Sequence, residues 1–137
     1  MVTRHEALTA LLAKVEAGGN PTQAAWFAVF PDLPTDDDYP RSLMAVNAAV
    51  GWIDAAKALH EAVLIGFEWL VREDDTNGGF ANVMTHDFAW HAEHDGTNKL
   101  KNVVDLGAAF HAYSSTPARA WLIAILKALI AMEEDHA

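Results

Sequence analysis

Leu8, Leu11, Leu12 and Val15 recur at helical spacing, while Arg4, Lys14 and Glu16 fall off their stripe, which predicts a first helix. Thr3 followed by Glu6 is a capping-box pattern at its start. Gly18-Gly19-Asn20-Pro21 ends it, because glycine favours the left-handed cap and proline cannot continue a helix. A short second helix is predicted from Thr22 to Phe30, presenting Trp26, Val29 and Phe30. Residues 31–40 then hold three prolines and four acids, the pattern of a linker. From Ser42 to Leu64 the spacing is helical again, with a break expected at Gly51. Beyond it Trp52, Ala55, Ala56, Leu59, Ala62 and Val63 form one apolar stripe, and Asp54, Lys57 and Glu61 face away.

After Gly66 the period changes from helical to alternating. Phe67, Trp69 and Val71 fall on one face of a strand and Glu68, Leu70 and Arg72 on the other. Glu73 to Gly79 reads as a hairpin loop, whose Asn77-Gly78 pair supplies the positive φ that such turns need. Strands are predicted over 67–73, 79–85 and 87–93, and a short fourth over 100–106. In the last segment Thr116 is a good N-cap and Pro117 suits the first helical position, where its missing N–H costs nothing. From there Trp121, Leu122, Ile125, Leu126, Leu129 and Ile130 make an apolar face too wide for a lone surface helix. The expected architecture is α+β: N-terminal helices, a small antiparallel meander sheet of three or four strands, and a long C-terminal helix packed on the sheet. Residues 1–137 are expected to form a single domain: an N-terminal helical extension over 1–30, an acidic proline-rich linker over 31–40, and a core over 41–134.

The 137 residues suffice for one hydrophobic core and not for two ordinary domains. The longest strongly apolar stretch, Ala120 to Met132, is interrupted by Lys127 and is shorter than the ~20 residues that span a bilayer, so no membrane partner is expected. The first six residues lack the charged-then-apolar profile of a secretion signal, and with no cysteine the chain fits a cytoplasmic protein. The absence of cysteine also removes disulfides, thiolate metal sites and cysteine nucleophiles. The formal charge is −10, with four cations against nine acids before Trp69 and five against ten from there on. An acidity spread so evenly disfavours nucleic acid, whose binding depends on cationic side chains displacing counterions.

Two segments resemble a known pattern. One is Ile53-Asp54-Ala55-Ala56-Lys57-Ala58-Leu59-His60-Glu61-Ala62-Val63-Leu64 followed by Gly66-Phe67-Glu68-Trp69; the other runs Thr116-Pro117-Ala118-Arg119-Ala120-Trp121-Leu122-Ile123-Ala124-Ile125-Leu126-Lys127-Ala128-Leu129-Ile130-Ala131. In order and spacing they resemble the phage and prophage α-β-α sandwich domain family, small proteins also found in gene-transfer-agent-like elements. The chain departs from that pattern where Trp52 stands in place of a helix-capping serine, and where Ile65-Gly66-Phe67 replaces a Pro-Gly-Trp turn. The resemblance implies a phage or prophage origin, hence the cytoplasm of a bacterial host cell, and an α-β-α core. It brings no catalytic motif, since its recurring residues read as caps and core.

Histidines are the most tempting chemistry. His86, His91, Glu93, His94 and His111 put imidazoles and a carboxylate into one window, and these are ligand types for zinc, iron or manganese in a protein without cysteine. Their spacing matches no helical H-E-x-x-H, and H-x-E without C-x-x-C is not a nucleobase-deaminase site. A solvated sheet face accounts for them more simply, so no metal or other cofactor and no catalytic residue is expected. Glu68, Arg72, Glu93 and His91 suggest acid–base chemistry, but cross-strand charge pairing explains the same residues. Asp36-Asp37-Asp38 reads as a solvated loop. Five tryptophans weigh more than any polar motif: Trp52, Trp69, Trp90 and Trp121 fall on core-facing positions, and Trp26 precedes the linker. Core packing is the simpler account, and a protein–protein surface the other. The function expected is a non-enzymatic protein-interaction module, with another protein or a second copy (a homodimer) as partner. The alternative is a small metal-dependent or acid–base enzyme built on the His86–His111 window.

Overall fold

Side-chain caps and positive-φ glycines cut the chain into five helices and three strands among the residues described, which in this computed structural model are 2–31, 33, 39–85 and 108–135. Helix α1 spans Arg4–Glu16; as the capping-box pattern predicts, the Thr3 hydroxyl accepts the Glu6 N–H at 3.1 Å, and it also donates to the Glu6 carboxylate. Helix α2 spans Gln23–Phe27 behind Thr22, whose hydroxyl accepts the Ala25 N–H at 3.2 Å. Helix α3, Arg41–Ala49, and helix α4, Ile53–Val63, are separated at Gly51, where φ is +109°. Helix α5, Pro117–Asp135, begins as expected behind Thr116, whose hydroxyl accepts the Arg119 N–H at 3.1 Å.

The sheet is antiparallel, in the order β1 (Glu68–Asp74), β2 (Gly78–Met84), β3 (Ala109–Ser114). Glu68 opposes Met84 and Asp74 opposes Gly78 across the first pair, and Gly79 opposes Ser114 across the second. The first two strands lie where alternation places them. β3 does not: the strands expected over 87–93 and 100–106 lie outside the described residues, and the sheet is completed further along the chain. Along β2, Ala81 and Val83 are buried while Phe80, Asn82 and Met84 are half-buried on the other face.

Helix α5 lies at the centre. Ala118, Ala120 to Leu126, Ala128 and Leu129 are all buried, and a helix apolar around its circumference must be covered on every side. The sheet covers one side, through β2 and β3; α1, α3 and α4 cover the other. The segment over 1–30 belongs to the same core, since Leu8, Leu11, Val15, Trp26, Val29 and Phe30 are buried in one cluster with Leu59, Leu122 and Ile125. The width of the apolar face is therefore satisfied within the chain. Glycines at 78 and 79 let the start of α5 sit on the hairpin: a Cβ at Gly78 would overlap the Ser115 carbonyl, and one at Gly79 the Pro117 nitrogen. Among the described residues no helix is long and apolar enough to cross a membrane.

One buried cation ties these layers together. The Arg119 side chain is 6% exposed, and its guanidinium donates to the carbonyls of Val15 at 2.9 Å, Ala49 at 2.7 Å and Gly19, and to Asn20 Oδ1 at 2.7 Å. Val15 and Ala49 lie in the last turns of α1 and α3, where the helix dipole concentrates negative partial charge; the Val15 carbonyl also accepts the Gly18 N–H at 3.0 Å. Five N–H donors in a rigid fork suit such a cluster of acceptors better than an ammonium does. Arg119→Leu should cost about 3 kcal/mol of stability or more, since several buried acceptors lose their donor at once. Arg119→Lys should recover only part of that loss in urea unfolding. A loss below about 1 kcal/mol for the leucine variant would show that the clamp is replaceable by packing.

Candidate functional site

The first turns of α4, strand β1 and the start of α5 enclose a groove of about 430 Å³, lined by Ile53, Asp54, Lys57, Trp69, Val71, Arg72, Glu73, Pro117 and Trp121. Its base is aromatic. Trp121 is buried and Trp69 lies beside it with ring centroids 5.5 Å apart, leaving Trp69 42% exposed. Ile53 is 44% exposed at the other wall, and the neighbouring Trp52 is 62% exposed. Asp54, Lys57, Arg72 and Glu73 supply charges of both signs around this apolar floor.

His60 fixes the geometry from beneath. It is 1% exposed, its ring packs edge-on to Trp69 at 5.0 Å, and it lies 5.5 Å from Trp121. Trp121 Nε1–H lies 3.0 Å from His60 Nδ1, and His60 Nε2 lies 3.0 Å from the Phe67 carbonyl. Indole nitrogen only donates and a carbonyl only accepts, so the network assigns a neutral imidazole that accepts at Nδ1 and donates from Nε2. Protonation at Nδ1 would turn that acceptor into a donor facing the indole N–H. Burial lowers the His60 pKa below its ordinary value of 6.5, against the opposing pull of the Phe67 carbonyl and of Glu61.

The aromatic residues divide between the two readings of the sequence. Trp26 and Trp121 are core; Trp52 and Trp69 reach solvent, contrary to the core-facing positions expected. For Trp52 the reason is local: α4 begins at Ile53, so Trp52 is its N-cap, with extended backbone, and lies off the helical stripe. It makes no side-chain cap bond, as expected where tryptophan replaces a capping serine; Asp54 places a carboxylate in the first turn instead. Trp90 lies outside the described residues.

The histidine window is not assembled among the described residues. His86, His91, Glu93 and His94 lie outside them, as does Asp36-Asp37-Asp38. His111 is exposed on β3, with Phe80 at 6.4 Å and Tyr113 at 6.5 Å between ring centroids, and its carbonyl accepts from Lys127 Nζ at 2.9 Å. Arg72 places its guanidinium 4.8 Å from the centroid of the Phe80 ring. No group of three or more histidine or carboxylate side chains able to hold a metal occurs among the described residues. His60 itself carried a signal that pattern reading passed over: it stands four residues after Ala56 and one after Leu59, on the buried side of α4. Comparisons with protein-family models, curated proteins and solved structures return no significant match.

His60 generates a pH dependence of known sign. Its folded pKa is depressed, so its contribution is fully present above the unfolded value near 6.5 and is lost as pH falls below that value toward the folded one. Between pH 7.5 and 5.5 the protein should therefore become progressively less stable through this group. His60→Gln, which can accept from the indole and still donate, should remove that part of the slope. Equal urea midpoint shifts for both proteins over this range would assign the pH dependence elsewhere.

Proposed function

We propose that the protein is a non-enzymatic protein-interaction module of phage or prophage origin, acting as an assembly accessory or a modulator of host proteins, and that it binds through the face around Trp52, Ile53 and Trp69. The observation that carries this reading is the exposure of these three large apolar side chains beside one groove, in a chain that buries a complete core elsewhere. Scattered surface apolar residues are ordinary, but apolar side chains gathered beside a groove are the usual mark of an interaction site. Tryptophan in particular is enriched among residues that dominate binding energy. Charges of both signs at the rim suit a protein surface, where complementary pairs set orientation. The phage origin is supported by the resemblance of residues 53–69 and 116–131.

Photo-crosslinking in cells tests the reading. A photoreactive residue at position 53 should give a discrete adduct that mass spectrometry identifies as a protein, while one at the exposed Thr9 should not. Ile53→Asp in the same chain as a photoreactive residue at 52 should diminish that adduct at least about tenfold. Equal crosslinking from positions 53 and 9 would remove the case for this face.

A further inference from the structure

Alternation along β1 sorts the charges of the groove between the two faces of the sheet. Trp69, Val71 and Glu73 share one face, where Trp69 opposes the buried Val83 and Glu73 opposes Gly79. Arg72 lies on the other face, where it opposes Phe80 and lays its guanidinium on that ring. On α4 the Lys57 ammonium lies 3.9 Å from the Glu61 carboxylate, one turn further along the helix. Both cations of the groove are thus drawn to partners beyond it. Asp54, in the first turn of α4, and Glu73 are exposed. A ligand therefore meets an apolar floor of Trp69, Val71 and Ile53 with a carboxylate on each wall. Asp54 stands on the helix, and Glu73 on the strand, about 13 Å along β1 from Trp69.

Resting on the interaction reading above, we propose that the partner is a basic segment of another protein, one that sets an apolar side chain on Trp69 and Ile53 and lysine or arginine side chains against Asp54 and Glu73. The whole chain carries −10, with 19 acids against 9 cations, so its field draws in a basic partner and speeds the encounter. The same field sets a second copy of the chain against itself. Carboxylates beside an exposed indole suit arginine in particular. A guanidinium stacks on the ring face and forks onto a carboxylate, which an ammonium does less well. An ion pair in open water contributes little, but one that closes over an apolar floor is partly shielded from solvent and contributes more. Apolar contact gives this interface its affinity, and the two carboxylates set the orientation of the bound segment.

A display library of short random peptides, selected on the purified full chain and depleted on the Ile53→Asp variant, supplies the probe. The enriched peptides should carry net positive charge together with a large apolar side chain. The tightest of them, synthesised and titrated, should bind Asp54→Lys and Glu73→Lys at least about tenfold more weakly than the unaltered chain. Glu16→Lys makes the same change of net charge in the last turn of α1, outside the groove, and should leave the affinity within about twofold. The same peptide with its basic residues changed to Glu should recover affinity for the D54K/E73K double variant, which a merely destabilised fold would not produce. Neutral or acidic enriched peptides, equal weakening by Glu73→Lys and Glu16→Lys, or failure to enrich any peptide that needs Ile53 each overturn the proposal. If neutral or acidic peptides bind and still need Ile53, the basic partner falls and the interaction reading stands. If no peptide needs Ile53 and position 53 crosslinks no better than position 9, both fall.

Discussion

A cation held by carbonyl oxygens fixes the start of α5 in place. Arg119 is buried among the carbonyls of Val15, Gly19 and Ala49 and the amide oxygen of Asn20, so among the described residues its charge is met by dipoles and not by an ion pair. Burial lowers its pKa from the ordinary arginine value. Guanidinium stays protonated under such conditions because its intrinsic pKa is so high. Helix C-termini make suitable acceptors, since their last carbonyls carry the negative end of the helix dipole and keep a lone pair free even where a following N–H bonds to them, as Gly18 does to Val15. One side chain thus satisfies the ends of α1 and α3 and anchors the helix around which both layers pack. No neutral side chain of similar size offers as many donors.

The groove inherits its shape from that anchor. Pro117 and Trp121 stand two residues on either side of Arg119, so fixing the first turns of α5 fixes both. Trp121 in turn orients His60 through the indole–imidazole bond, and His60 ties down the Phe67 carbonyl at the entry to β1. Trp69, two residues further, packs on both rings and is left partly in solvent. The hairpin glycines complete the arrangement by letting the backbone of Ser115 to Pro117 lie directly on the start of β2. A position that looks like an accident of exposure at Trp69 is therefore prepared by several buried contacts.

Local signals in the sequence were legible where one residue decides. Thr3, Thr22, Thr116 and Pro117 start helices and Gly51 interrupts one, each by a mechanism that needs no tertiary context. The change of period at Gly66 placed β1 and β2 for the same reason. β3 escaped because its buried position is Ala112, opposite Ala81, where small residues let α5 approach and weaken the apolar alternation. Arg119 and His60 escaped because an isolated polar residue on an apolar stripe looks like a break in the stripe. On a helix that is apolar all round there is no polar face to receive Arg119, and its burial with dedicated acceptors was implicit in that width. The groove depends on side chains from α4 and β1, which are neighbours in the chain, and from α5, which is far from both, and no spacing along the chain encodes that meeting.

Fold and binding meet at β1, which packs Trp69 on the anchored helix and, on this account, presents that indole together with Glu73 to a basic partner. Amide hydrogen exchange read with and without a basic peptide selected on the chain tests that claim directly, because a bound segment slows the local opening of the backbone it covers. The account predicts that fragments covering residues 53–57 and 69–73 gain protection when the peptide is bound, while those covering 109–114 exchange at an unchanged rate. Uniform exchange in both states, or protection gained only on α1 and α2, would contradict it.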